Sequence, residues 1–130
     1  MVKVEGIDHV ALAVRDVARS VAWYQQTLGL ERVNQDVWGD FPAMVGIGTT
    51  SLALFPIQVK DPKPPPGKDT IAIRHVAFRA TRSCFEAAKA HLKNLEIEFE
   101  FQDHDIAHSV FFRDPDGHEI EITTYEVQLV

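Results

Sequence analysis

The chain has 130 residues, 45% of them hydrophobic and 25% charged, a length and composition typical of one folded domain. Its 19 acidic and 13 basic residues give a net charge of −6, which disfavours binding to nucleic-acid phosphates. No apolar run approaches the roughly 20 residues that cross a bilayer, the amino terminus lacks a signal-peptide pattern, and the single cysteine excludes an internal disulfide. We therefore expect a soluble, cytoplasmic protein with no membrane or nucleic-acid partner.

The first half of the chain predicts the order β-α-β-β-β. The β-rich segment Ile7–Val14 precedes a helix whose apolar residues recur every three or four positions from Val17 to Leu28. Asp16 is placed to cap the start of this helix, and Gly29 is placed to end it in a left-handed conformation. Three further strands are predicted, at Glu31–Val37, Phe41–Ile47 and Ser51–Phe55.

A proline-rich linker, residues 56–70, separates this half from a second copy of the same order. Five of the seven prolines lie in this stretch, and proline cannot donate to a sheet. The second copy begins with the strand Ile71–Arg79 and a helix that Thr81 or Ser83 could cap. Three strands complete it, at Glu96–Phe101, His108–Arg113 and His118–Thr124.

The repeat predicts the fold class. Two βαβββ modules, residues 1–55 and 71–130, make up one α+β domain of residues 1–130, and an offset of 66 residues places His75 on His9. We expect a curved mixed sheet, largely antiparallel, that forms a cup with the helices outside.

Strand periodicity then brings three side chains to the inner face of the cup. Side chains alternate between the two faces of a strand, and the apolar alternates in these strands suit packing against the helices. His9, His75 and Glu121 therefore point to the opposite face. Two imidazoles and one carboxylate form a ligand set for Fe, Mn, Zn, Ni or Co in the divalent state. The alternative is two hydrogen-bonded core histidines and a solvated carboxylate.

Three segments carry a resemblance to a known family: IDHVALAVRDVARSVAWYQQTLGLE at 7–31, RHVAF at 74–78 and SVFFRDPDGHEIEI at 109–122. They resemble the vicinal oxygen chelate superfamily, which includes glyoxalase I, extradiol dioxygenases, fosfomycin-inactivating thiol transferases and bleomycin-resistance proteins. The resemblance implies a glyoxalase-like fold and a divalent metal held by His9, His75 and Glu121. It also implies that this metal chelates adjacent oxygen atoms of a small-molecule substrate.

Departures from the subfamily patterns limit which reactions of the superfamily are expected of this chain. Ala53 stands where glyoxalase I has its fourth ligand, a glutamate. Ala11 and Phe111 replace the threonine and tyrosine of the fosfomycin transferases. The tract Gln102-Asp103-His104-Asp105 resembles the Asp-His-Gly tract of extradiol dioxygenases, with Asp105 in place of the glycine. His104 is therefore a candidate proton carrier at the rim of the cup, its alternative being an exposed turn histidine.

These observations predict a metal-dependent vicinal oxygen chelate enzyme, dioxygenase-like or glyoxalase-like, that acts on a small molecule with adjacent oxygens. Two alternatives are a metal-free, drug-sequestering resistance protein and a thiol transferase of the fosfomycin-resistance type. The resemblance also implies a homodimer, whose sites could be built within one chain or across two.

Overall fold

The computed structural model describes residues 1–128. Its internal contacts divide the chain into two compact units, Met1–Lys63 and a second that starts at Pro64, with the boundary inside the proline-rich linker. Among the helices of the described residues, none has the length and hydropathy to cross a bilayer.

The first unit is a four-stranded mixed sheet with one long helix. Its elements in chain order are β1 (His9–Val14), α1 (Val17–Leu28), β2 (Glu31–Val33), α2 (Gln35–Trp38), β3 (Ala43–Ile47) and β4 (Thr50–Pro56). The strand order is β1-β4-β3-β2, with β1 parallel to β4 and the other two pairings antiparallel.

The second unit repeats this topology. Its elements are β5 (Val76–Arg79), α3 (Arg82–Asn94), β6 (Glu100–Asp103), β7 (His108–Arg113) and β8 (Glu119–Thr124). The order is β5-β8-β7-β6, again with one parallel pairing, β5 with β8, and two antiparallel ones. The predicted α+β fold with a duplicated β-α-β-β-β order is confirmed, and hydrogen bonding within residues 1–128 forms two four-stranded sheets, one in each unit.

The signals that begin and end the two long helices are those the sequence predicts. The Asp16 side chain accepts a hydrogen bond from the backbone N–H of Arg19 at 3.0 Å. Gly29 takes the left-handed conformation, with φ 67°, and ends α1. At α3 the capping residue is Thr81, whose hydroxyl accepts from the backbone N–H of Cys84 at 3.2 Å.

Several predicted strand boundaries are wrong because backbone conformation overrides β propensity. The strand predicted at Glu31–Val37 ends at Val33, because Asn34 turns into the left-handed region at φ 56° and begins the short helix α2. Asparagine adopts this conformation more readily than most residues. The strand predicted to begin at Glu96 begins at Glu100, because Glu96 itself has φ 58°.

Two further differences, at strand starts, concern the candidate histidines. The strand predicted from Ile71 begins at Val76, and the strand predicted from Ile7 begins at His9. Both histidines of interest therefore lie at the very start of an edge strand, His9 as its first residue and His75 immediately before it.

The core of each unit lies between its sheet and its long helix. Alternate strand residues face the helix, and these residues with their helix partners are almost fully buried: Leu12, Val14, Tyr24, Val45, Leu52 and Leu54 in the first unit, and Phe85, Leu92, Val110, Phe112, Ile120 and Ile122 in the second. Each such side chain contributes about 1.5–3 kcal/mol of burial. The opposite sheet face is free to carry polar side chains.

Candidate metal centre

His75 and Glu121 form the centre of the candidate site, in the second unit. His75 precedes β5, and Ala77 of that strand pairs with Glu121 of β8. The Nε2 atom of His75 lies 2.9 Å from Oε1 of Glu121. The histidine is about one-third exposed, whereas Glu121 is buried. The structure thus brings together two of the three residues predicted as metal ligands.

A buried hydroxyl fixes the other oxygen of Glu121. Ser109, on β7, is fully buried and donates a hydrogen bond from Oγ to Glu121 Oε2 at 2.7 Å. The same hydroxyl lies 3.0 Å from Oγ1 of Thr123. One carboxylate oxygen is therefore held by the protein while the second is directed at His75.

A second carboxylate lies on the other side of the imidazole. Oε1 of Glu119 is 3.3 Å from His75 Nδ1, so each ring nitrogen faces a different glutamate. Oε2 of Glu119 is 3.4 Å from Nη2 of Arg113, and Nη1 of Arg113 donates to the carbonyl oxygen of Gly117 at 3.0 Å. Glu119 and Glu121 are two residues apart on β8 and therefore share a sheet face, but the contact of Glu119 with His75 was not predicted from the sequence.

His9, the third predicted ligand, belongs to the first unit. It begins β1, and its Nδ1 lies 2.9 Å from Oδ2 of Asp8. Ala11 and Ala13 are exposed, while Leu12 and Val14 are buried, so His9 lies on the sheet face opposite the helix. Neither unit alone, within residues 1–128, gathers three His, Cys, Asp or Glu side chains in an arrangement that could hold an ion.

The donor set of the second unit fits a divalent metal ion in part. An imidazole nitrogen and a carboxylate oxygen are ordinary ligands of Zn, Fe, Mn, Ni and Co, and here they lie adjacent. The small separation of His75 Nε2 and Glu121 Oε1 is also that of an ion pair, which forms when the imidazole is protonated. The pair supplies two ligands, and a third has to come from elsewhere.

His104, the predicted proton carrier, is an exposed residue between β6 and β7. Its backbone N–H donates to Ala107 O at 2.8 Å. Its ring lies edge-on to Phe111, with centroids 6.5 Å apart, and the Phe111 ring is also edge-on to His75 at 5.5 Å. Phe111 pairs in register with Glu121, so it lies on the site face. His104 and His75 thus contact the same aromatic ring.

Ala53, where glyoxalase I would have a fourth ligand, is buried on β4. It pairs in register with Ala11 of β1 and Met44 of β3, so it lies on the sheet face that carries His9. A methyl group there supplies no ligand and no proton acceptor.

The chain is similar to known proteins over most of its length. The model of the Glyoxalase/Bleomycin resistance protein/Dioxygenase superfamily matches residues 6–122. The chain is 30% identical to the metallothiol transferase FosB of Staphylococcus epidermidis over 124 residues, 93% of this chain and 84% of that protein. It is 27% identical to the glutathione transferase FosA of Serratia marcescens, covering 91% of this chain and 79% of that protein.

Solved structures show the same fold. A glyoxalase/dioxygenase from Nostoc punctiforme superimposes with a TM-score of 0.76 at 26% identity, covering 92% of this chain and 90% of that chain. A glyoxylase/bleomycin resistance protein/dioxygenase domain from Frankia sp. EAN1pec has a TM-score of 0.76 at 21% identity, covering 94% of this chain and 93% of that one.

Proposed function

Because the chain belongs to the Glyoxalase/Bleomycin resistance protein/Dioxygenase superfamily, we propose that it is a metal-dependent enzyme acting on a small molecule with adjacent oxygen atoms. His75 and Glu121 would hold a divalent ion, Fe, Mn, Zn, Ni or Co, with His9 as the third ligand. The observation that carries this proposal is the 2.9 Å approach of His75 Nε2 to Glu121 Oε1 on the polar face of the second sheet. Such an ion would act as a Lewis acid toward the substrate oxygens.

The neighbours of the proposed ligands favour metal and substrate binding. Ser109 holds Glu121 Oε2, which leaves Oε1 directed at the site. The Phe111 ring lies edge-on to His75 and gives that side of the imidazole an apolar neighbour. On the first unit, Ala11 and Ala13 beside His9 leave room for a substrate.

Thiol transfer is the reaction that the relatives favour. The curated relatives at 27–30% identity include proteins named metallothiol transferase and glutathione transferase, and they align over more than 90% of this chain. In such a reaction a thiol adds to an electrophilic carbon, the carbon–oxygen bond breaks, and the thiol proton passes to the oxygen released. In this proposal His104 would accept and return that proton, while Ala11 and Phe111 would contact the acceptor without hydroxyl groups.

Dioxygenation is the second candidate. The tract Asp103-His104 predicts it from the sequence, and the ring of His104 shares Phe111 with His75. The Nostoc punctiforme neighbour, named as a glyoxalase/dioxygenase, is 26% identical to this chain. In this reaction His104 would take a proton from a substrate hydroxyl group.

The two reactions are separated by one assay panel on protein loaded in turn with Mn, Fe, Zn, Ni and Co. Loss of free thiol is measured with glutathione or cysteine plus fosfomycin, and oxygen uptake is measured with catechols. We expect one activity, reduced at least about 100-fold in His75→Ala and Glu121→Gln. Glu31→Gln, an exposed carboxylate of β2, is the matched control. A metal-free protein that binds these compounds without turnover would instead support the drug-sequestering alternative.

The source of the third ligand is tested by complementation. The variants His9→Ala and His75→Ala are co-expressed with different tags, and the mixed species is isolated. If each site is shared between two chains, the mixed pair recovers one intact site, made of His9 from one chain with His75 and Glu121 from the other. If each site lies in one chain, no site is restored.

A further inference from the structure

We propose that Glu119 is a positioning residue for His75, holding the proton on Nδ1 so that Nε2 is free to bind the metal ion. This inference rests on the proposed metal site. A neutral imidazole carries one proton on one of its two nitrogens, and the nitrogen without the proton is the one that binds a metal. The partner of the other nitrogen therefore decides which face of the ring is available.

Each ring nitrogen of His75 contacts a different glutamate, so one glutamate can hold the proton while the other shares the metal ion. Nδ1 lies 3.3 Å from Glu119, and Nε2 lies 2.9 Å from Glu121. Glu121 is anchored on its far side by the neutral hydroxyl of Ser109, which leaves its near oxygen beside Nε2 of His75. If Nδ1–H donates to Glu119, then Nε2 and Glu121 Oε1 present two adjacent lone pairs to an ion.

Glu119 is itself held in place as an acceptor. Its second oxygen faces Nη2 of Arg113 at 3.4 Å, and Arg113 is tied to the carbonyl of Gly117 in the turn before β8. The Glu119 side chain is about one-fifth exposed, so it lies under the protein surface with a cation on one oxygen and an imidazole on the other. Arg113, Glu119, His75 and Glu121 thus form one continuous line of contacts.

The strand geometry explains how one histidine meets both carboxylates. Glu119 and Glu121 are two residues apart on β8, so they lie on the same face, about 7 Å apart along the strand. Val76, next to His75, pairs in register with Ile120, the residue between them. The imidazole therefore enters the gap between the two carboxylates.

The test measures the proton on His75 and the affinity for Zn²⁺ in the same proteins. Two-bond ¹H–¹⁵N spectra of histidine-labelled protein report which ring nitrogen carries the proton, and competition with a chromophoric chelator gives the Zn²⁺ affinity. In the Zn²⁺-loaded wild type we expect the proton on Nδ1 and the metal on Nε2. Glu119→Leu should weaken Zn²⁺ binding by about 10–100-fold and lose this preference in the metal-free protein.

Two further variants separate positioning from packing. Glu119→Gln keeps an acceptor oxygen and should recover most of the affinity and the Nδ1 proton. Glu100→Leu removes a carboxylate from the same sheet face, on β6 opposite Phe111, and should leave both readouts at the wild-type level.

Each outcome has one meaning. Zn²⁺ bound through Nδ1 in the wild type overturns the inference without any variant, even if Glu119→Leu fails to fold. Wild-type affinity and an unchanged Nδ1 proton in Glu119→Leu also overturn it, and Glu119 then serves only the contact with Arg113. A Glu119→Gln protein as weak as Glu119→Leu contradicts the acceptor role. A wild type that binds none of the divalent ions overturns the proposed function itself.

Discussion

At the scale of single residues, the site depends on neighbours that lie on different strands. Alternation along β1, β5 and β8 predicts that His9, His75 and Glu121 face away from the helices. The buried alternates of β1 and β8 (Leu12, Val14, Ile120 and Ile122) agree with this for those two strands. Ser109 escapes prediction because its partner is known only once β7 is known to pair with β8. The same holds for Glu119, since its contact with His75 depends on the parallel pairing of β5 with β8.

Ser109 provides the first prediction. Ser109→Ala removes the donor to buried Glu121, and a hydrogen bond to a charged group contributes about 1.5–3 kcal/mol. We expect a loss of about 1–3 kcal/mol in the free energy of unfolding at pH 7, measured by urea denaturation. Ser51→Ala, a strand serine of β4, is the control and should change stability by less than about 0.5 kcal/mol. Equal effects of the two substitutions would show that the bond to Glu121 contributes nothing.

At the scale of elements, α3 is tied to its surroundings by Arg82. Its Nη1 donates to Glu86 one turn later at 2.9 Å, its Nη2 donates to Nδ1 of His108 at 2.7 Å, and its Nε donates to the carbonyl of Glu126 at 2.8 Å. The hydrogen bond from Arg82, assisted by Lys89, lowers the pKa of Glu86 below its usual value of 4.5. The contribution of this helix to the free energy of unfolding should therefore depend on pH.

Glu86→Gln tests that dependence. Because the pKa of Glu86 is lowered in the folded state, its contribution is fully present above about pH 4.5 and is lost as the pH falls through the lowered value. Glu86 is half-exposed, so the variant should lose at most about 0.5 kcal/mol at pH 7. Urea denaturation at pH 7, 5 and 3 should show this difference shrinking toward zero with acid. A difference that grows as the pH falls would contradict the assigned pair.

The β3–β4 hairpin gives a prediction about packing. A Cβ atom added at Gly46 would collide with the backbone oxygen of Thr50 and would lie 2.7 Å from Oγ of Ser51. Backbone cannot move aside cheaply, so Gly46→Ala should cost about 1–3 kcal/mol in urea denaturation. Gly67→Ala is the matched control, because its Cβ would meet only Asp69 Oδ1, at 3.4 Å. Equal stability of the two variants would show that the backbone around Gly46 accommodates a methyl group, which would contradict the prediction.

The elements themselves were predictable to different degrees. Asp16, Gly29 and Thr81 are local signals that act on the adjacent backbone, so the bounds of α1 and α3 could be predicted from the sequence. The helix α2 could not be predicted from the sequence, because Val33 and Val37 favour a strand. Only the left-handed turn at Asn34 reverses that preference.

At the scale of the whole molecule, the duplicated order of elements was readable from the sequence, since both halves carry the same succession of periodicities. The strand β1 lies at the edge of one sheet and β5 at the edge of the other. Ile7 and Ile73, two residues before His9 and His75, are 77% and 82% exposed. Exposed apolar residues next to an edge strand are a suitable surface for association.

We therefore predict a homodimer. Light scattering at tens of micromolar should give about 29 kDa, twice the 14.6 kDa of the chain. The double variant Ile7→Lys/Ile73→Lys should shift this mass toward the monomer, because it places a charge at the exposed apolar position beside each edge strand. Val37→Lys, at an exposed valine of α2, should leave the mass unchanged. A monomeric wild type at this concentration would contradict the prediction.

The most direct test of the proposed metal site is the metal content of the purified protein after dialysis against Mn²⁺ or Zn²⁺, measured by mass spectrometry. We predict about one ion per chain in the wild type and in Glu31→Gln. His9→Ala, His75→Ala and Glu121→Gln should each retain far less. A wild type that retains no metal, or His75→Ala and Glu121→Gln proteins that retain the full amount, would contradict the assignment of this site.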